Sequence, residues 1–387
     1  MKADIAIIGG GIIGTSIAWH LRQADQGADI VVVERDPTYE LAATPRGNGG
    51  IRQLFSIPEN IRMAQHGLTF YAGLDDVLAQ EGQDTRVGFR RQGYLFISDT
   101  GQSGQMIANH AVQERHGVNA ELLEPSALKD RFPSLNVNDI AVAVHSPDDA
   151  WIDPYSALMG LRRSAISDGV HYCSGEVVAW TADNARASTL TLADGTTIAA
   201  EATVLACGAW SAEVASLIGL DLPVEPMSRE SYFFRTNGNV EPLPFLKSES
   251  DVAIRPEGEG YVGGVPNWAE TAGWNFDPSE RWFEDVVWPA LANRVPAFEE
   301  VKLERIWRGH YARNAFDYSP IIGPWRGASA KVIIATGFSG HGIMHAPATG
   351  RGVAELLTLG RFSSIDLNKF RFDRIADNRP VREAGIV

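Results

Sequence analysis

The chain has 387 residues, 44 % hydrophobic and 21 % charged, an ordinary balance for a globular protein of two or three domains. Its 34 basic and 48 acidic residues leave a net charge of −14, which disfavours a nucleic-acid partner. Two cysteines, Cys173 and Cys207, exclude a disulfide framework and a cysteine zinc ribbon. No run approaches the roughly 20 apolar residues of a membrane span, and no metal site is expected.

Residues 5–8 form a short apolar run suited to a strand buried on both faces. Asp4 and the early glycines make this start unlike a signal peptide, so a cytoplasmic location is expected. Gly9-Gly10-Gly11-Ile12-Ile13-Gly14 follows, and residues 15–23 read as helix with Ile17, Ala18 and Leu21 on one side. Residues 30–33 are a second buried strand ending at Glu34, which completes a βαβ unit. Residues 44–60 are irregular. Residues 59–82 and 103–117 read as helices, and 88–98 as a strand hairpin. Asp153-Pro154 opens a further helix reaching residue 167.

Strands are expected at 175–180 and 188–192, with Asp194-Gly195 as a hairpin turn. Residues 202–206 are a third buried strand, before Cys207-Gly208-Ala209-Trp210. Short strands alternate with an amphipathic helix through 223–308. A fourth buried strand at 332–336 runs into Gly337-Phe338-Ser339-Gly340-His341-Gly342, and a helix is expected from about Ala346 to Leu359. Buried strands at the start, middle and end of the chain predict a mixed α/β fold. A Rossmann-like cofactor domain takes residues 1–75, 140–222 and 309–387. A discontinuous antiparallel-sheet domain at 76–139 and 223–308 is set into it as the substrate domain.

Gly9-x-Gly11-x-x-Gly14 between strand and helix, with Glu34 ending the next strand, has the features of a dinucleotide site. Gly9 allows the tight turn, Gly11 lets backbone approach a pyrophosphate, and Gly14 lets helix pack on sheet. The helix N-terminus offers free N–H groups to phosphate. Glu34 can accept from a ribose hydroxyl and would repel a 2′-phosphate. The motif alone does not separate NAD from FAD. The second glycine-rich strand end, more than 300 residues away, favours FAD, whose ring extends far from its adenosine.

These residues, with Gly49-Gly50-Ile51-Arg52-Gln53, Trp151-Ile152-Asp153-Pro154, Asp317 to Gly323 and Ala346-Pro347-Ala348-x-Gly350, carry a resemblance over nearly the whole chain. It resembles the D-amino acid oxidase superfamily of FAD enzymes, nearest the sarcosine oxidase and dimethylglycine dehydrogenase branch, which includes relatives linked to respiratory complex I assembly. The resemblance implies that Gly337 to Gly342, with Ile343 and Met344, wraps the pyrimidine side of the flavin. It places Val177 and Val178 by the adenine, and Cys207, Gly208 and Trp210 by the ribityl and phosphates. Ile12, Ile13, Arg35, Thr44, Gly49 and Gly50 complete the implied cofactor set. Gly47 and Gly309 stand where relatives carry a histidine or cysteine joined to the flavin, so non-covalent FAD is expected.

The resemblance further implies that Arg52 binds a substrate carboxylate, with Tyr311 and His341 facing the reacting groups. Met344 replaces a second carboxylate partner, a lysine, and His345 lies beside it. Trp274 stands where sarcosine oxidases have a lysine that activates oxygen, so the acceptor stays open between O2 and another oxidant. The implied reaction is oxidation of the C–N bond of a carboxylate-bearing amine by hydride transfer to flavin N5, then imine hydrolysis. Other readings are oxidation of a hydroxy acid, an FAD-containing assembly or scaffold protein, and an electron-transferring subunit of a larger complex. Homo-oligomerisation is left open.

Overall fold

The computed structural model describes residues 1–182, 187–248 and 252–385. Its first sheet is built on parallel strands. Lys2–Ile8 lies between Thr197–Leu205 and Ile30–Glu34, with His171–Ser174 beyond the latter and Lys331–Thr336 beyond the former. Among the described residues, three antiparallel strands, Val177–Thr181, Ser188–Leu192 and Ile321–Trp325, extend it. The continuous apolar runs follow from burial on both faces. Ile5 and Ile7 point into one core with Ile17 and Leu21, whereas Ala6 and Ile8 point into another with Leu190 and Ile334. Helices Ile12–Ala24, Pro154–Ser167 and Gly342–Leu359 cover the first of these faces. Asp153 caps its helix as expected, accepting from Tyr155 N and Ser156 N.

Among the described residues, the second sheet has eight strands, antiparallel except where Phe245–Ser248 runs parallel to Tyr94–Ser98. One edge is a pair of long strands, Val224–Thr236 and Val301–Asn314, rather than the short strands expected there. Val224 and Ala312 pack in the core of the first sheet, Tyr232 and Phe234 in that of the second. One ladder therefore ties both sheets together. Val301–Asn314 crosses the boundary drawn at 308, and Val142–Ser146, expected with the cofactor half, pairs with Tyr94–Ser98 in the second sheet. The expected hairpin at 88–98 does not form. Arg90–Arg91 pairs with Ala150–Trp151 in a separate small sheet, and Tyr94–Ser98 turns to different partners after Gly93. The helix near 278–293 is broken into Glu280–Trp282, a wider turn at Phe283–Val287, and Trp288–Arg294. Pro289 has no N–H to continue a regular ladder there.

The last helix starts at Gly342, four residues before the expected Ala346. Pro347 therefore lies inside it and leaves the Ile343 carbonyl without its helical donor. The fully buried Tyr71 hydroxyl donates to that carbonyl instead, at 2.9 Å. Tyr71→Phe should therefore lower unfolding stability by about 1–3 kcal/mol in a urea titration, the usual cost of stranding a buried polar group. An unchanged midpoint would contradict this role.

Candidate active site

A cleft of about 1010 Å³ runs between the C-terminal ends of the parallel strands and one face of the second sheet. Two strand–glycine–helix turns open onto it. At the first, Gly9 has φ +99°, and a Cβ there would lie 2.4 Å from the Ala206 carbonyl oxygen. A Cβ on Gly14 would lie 1.9 Å from Gly9 O, so helix and turn meet backbone to backbone. Gly14 is thus a packing residue outside the lining, while Gly9, Gly11, Ile12 and Ile13 line the cleft. At the second turn, Phe338 through Met344 line it and Gly337 packs behind, against Asn314. Neither helix has a side-chain hydrogen bond from its own N-cap residue, so both present N–H groups and partial positive charge to the cleft.

Glu34 receives Gly10 N at 2.7 Å and Asp36 N at 2.9 Å. Burial raises its pKa while these bonds hold the carboxylate in place. Arg35 stacks over Trp210 with 4.6 Å between guanidinium carbon and ring centroid. Thr44 Oγ1 accepts from Ile12 N, and Thr44, Gly49, Gly50, Val177, Cys207, Gly208 and Trp210 all line the cleft. Val178 does not. It is 48 % exposed, at a register shift between Val177 and Ala179 where the strand does not alternate regularly. Burial pushes the Cys207 thiol up, away from a reactive thiolate.

At the other end, Arg52 is 2 % exposed. Its guanidinium donates to Leu54 O at 2.6 Å and lies 3.0 Å from His341 Nε2. A guanidinium has only donors, so that ring nitrogen accepts and His341 is neutral. Burial and then the Arg52 charge hold His341 well below the usual histidine range, consistent with this bond. His345 is brought down to about 3 by burial, then by Arg52. Tyr311 lines the cleft with Arg229 stacked 5.3 Å from its ring centroid, and burial keeps its hydroxyl protonated.

Lys247, unmarked by any motif, also lines this end, beside Tyr94 and Phe245. Its strand alternation aims it at the cleft with Phe245, but only the tertiary fold reveals which face that is. Trp274 is not a lining residue. It stacks on Trp210 at 4.4 Å and is 37 % exposed.

A glycine cradle at the end of a parallel sheet, with a buried guanidinium in the same cleft, fits an enzyme that holds a dinucleotide cofactor. The family model for FAD dependent oxidoreductases, DAO, matches residues 4–356, and the chain belongs to that family. It is 36 % identical to FAD-dependent oxidoreductase domain-containing protein 1 of Xenopus laevis, over 100 % of this chain and 85 % of that protein. It is 25 % identical to the mitochondrial dimethylglycine dehydrogenase of Homo sapiens, over 96 % of this chain and 45 % of the relative. Among solved structures, L-proline dehydrogenase from P. horikoshii superposes with a TM-score of 0.87 at 25 % identity, covering 98 % of this chain and 99 % of that one. The protein is FAD-dependent, and its residues fit that group: two helix N-termini without a bond from the N-cap side chain, the half-buried carboxylate of Glu34 and close backbone approach share one cleft. Among the described residues, no helix is long and apolar enough to cross a membrane.

Two outcomes test this geometry. Glu34→Ala should weaken FAD binding by roughly 10- to 100-fold, matching about 1.5–3 kcal/mol for a hydrogen bond to a charged group. Fluorescence titration of apoprotein reads this directly, and unchanged affinity would remove Glu34 from the cofactor site. The second concerns Asp149, which lies wholly buried behind Arg52 and accepts from Gln53 N and Nε2. Burial, above all, pushes its carboxyl up to about 7. The native state then holds the proton more tightly than the unfolded chain. Its stabilising contribution is present below about pH 4 and lost as pH rises through 7. Asp149→Asn should flatten the unfolding midpoint across that window, and an unaltered pH slope would contradict the assignment.

Proposed function

We propose that the protein oxidises the C–N bond of an amino acid or N-substituted amino acid, using non-covalently held FAD. The observation that carries this reading is Arg52, a buried guanidinium at the wall of the cofactor cleft, oriented by Leu54 O and His341. Among the described residues it has no acidic side chain within ion-pair distance, so a carboxylate from substrate would match it. Gly47 and Gly309 line the cleft and have no side chain to bond covalently to a flavin, which supports dissociable cofactor.

Bound FAD supplies the acceptor for the hydrogen and two electrons that leave the substrate. Arg52 fixes the substrate carboxylate through charge-assisted hydrogen bonds. Tyr311 offers a neutral hydroxyl donor nearby, and His341 acts as a positioning residue because its Nε2 is occupied by Arg52. The cationic surroundings and the apolar wall of Tyr94 and Phe245 favour a neutral substrate amine. Its lone pair can then form the C=N bond as the adjacent carbon gives up hydrogen with the bonding pair. Water adds to the resulting iminium and yields a carbonyl compound and an amine. The electrons leave for O2 or another acceptor.

Anaerobic addition of N-alkyl and primary amino acids to the FAD-loaded protein tests the reading, because a substrate should bleach the flavin. Arg52→Met should then reduce kcat/KM by roughly 30-fold or more, the counterpart of losing about 2–5 kcal/mol at a buried charge contact. No bleaching by any amino acid, with bleaching by hydroxy acids, would overturn it.

A further inference from the structure

Arg52 sits on a stretch with no regular structure of its own. Residues 52–55 follow the short strand Gly50–Ile51 and precede the helix Pro58–Gln80, and they form neither strand nor helix. The guanidinium is held by the stretch itself. It donates to Leu54 O and lies over the Phe55 ring, 4.1 Å from the centroid. That ring meets His341 edge-on at 5.2 Å. We propose that Glu383 is a positioning residue for substrate, clamping this stretch from a distant part of the chain so that Leu54 and Phe55 hold Arg52 at the cleft wall. This deepens the C–N reading above and rests on its carboxylate contact at Arg52.

One carboxylate gathers the donors at the point where the stretch ends. Glu383 accepts from Ser56 N at 2.6 Å, Ile57 N at 3.2 Å, Asn60 Nδ2 at 2.6 Å and the Ser56 hydroxyl. Hydrogen bonds to an ionised acceptor are the strong ones. Ile57, the residue before the helix, has no side-chain acceptor, so Glu383 supplies the negative charge that the helix dipole favours at this end. Glu383 is itself fixed by its neighbours. Ala384 N donates to Ser56 Oγ at 2.9 Å, and Asn109 Nδ2 donates to Ala384 O at 2.7 Å. Val381 N donates to Asp317 Oδ2 at 2.9 Å, and Val381 O accepts from Ser319 Oγ at 2.7 Å. Glu383 forms no ion pair with Arg52, so it holds the stretch without occupying the guanidinium. Burial, above all, disfavours the Arg52 cation, and the Glu383 charge is among those that oppose this. Further along, the helix is secured by Tyr71 on Ile343 O and by Gly67, where a Cβ would lie 2.3 Å from Met344 O. Loss of Glu383 therefore loosens the helix start and the stretch before it, and leaves the flavin turn braced.

The test uses the FAD-loaded full chain and reads the flavin spectrum while benzoate is titrated. Glu383→Ala should weaken benzoate binding at least tenfold, with FAD affinity kept within twofold. Glu383→Gln keeps the shape but turns one accepting oxygen into a donor, and should weaken benzoate threefold or more. With an amino acid that bleaches the flavin, both variants should raise KM and keep kcat within threefold, as expected when a contact common to ground and transition state is lost. A general structural role would lower FAD affinity and kcat together with benzoate binding, and that result overturns the proposal. So does benzoate binding that Glu383→Gln leaves unchanged, whether or not Glu383→Ala folds. Bleaching by amino acids, with benzoate indifferent to both variants, defeats this inference and leaves C–N oxidation standing. Glu383-dependent benzoate binding, with no amine able to reduce the flavin, supports the positioning role and defeats the C–N reading instead.

Discussion

The architecture depends on backbone meeting backbone at the end of the first strand. Gly9 turns at positive φ against the Ala206 carbonyl, and Gly14 sits against Gly9 O with no room for a side chain. That contact brings the N-terminus of Ile12–Ala24 to the C-terminal edge of the parallel sheet, where N–H groups can meet phosphate. A second glycine turn, more than 300 residues later in the chain, does the same with Gly342–Leu359. The two helices pack on each other, so both glycine turns are fixed relative to a shared scaffold.

The second sheet has a different task. Its two long strands run antiparallel at one edge, with one end of the pair in the core of the first sheet and the other end in their own. This single ladder places Arg229 and Tyr311 opposite the glycine turns. The chemistry follows from that placement: a redox group held by backbone on one side, and cations with an apolar wall on the other. The protein need supply no nucleophile, because orientation and electrostatics suffice once the cofactor carries the electrons.

The parts governed by local rules were legible in the sequence. Buried parallel strands read as unbroken apolar runs, and close approach demands glycine, so Gly9 to Gly14 and Gly337 to Gly342 announced themselves. Asp153-Pro154 announced a helix start for an equally local reason. Pro347 misled in the same way, since proline favours a first helical turn, whereas here Tyr71 supplies the hydrogen bond that a buried helical proline removes. The strands of the second sheet were harder. Tyr94–Ser98 pairs with residues about 50 and 150 positions away, which no local pattern announces. Lys247 escaped notice because alternation tells that a side chain faces one side of a sheet, not what lies there.

The central claim is that a substrate carboxylate neutralises the buried Arg52 charge beside the flavin. The most direct measurement is a crystal structure of the FAD-loaded protein with an unreactive carboxylate, such as benzoate, bound in the cleft. The account expects a carboxylate oxygen at about 2.7–2.9 Å from an Arg52 guanidinium nitrogen, the usual length of such a bond. A ligand ordered elsewhere in the cleft, with Arg52 still bonded only to Leu54 and His341, would contradict it.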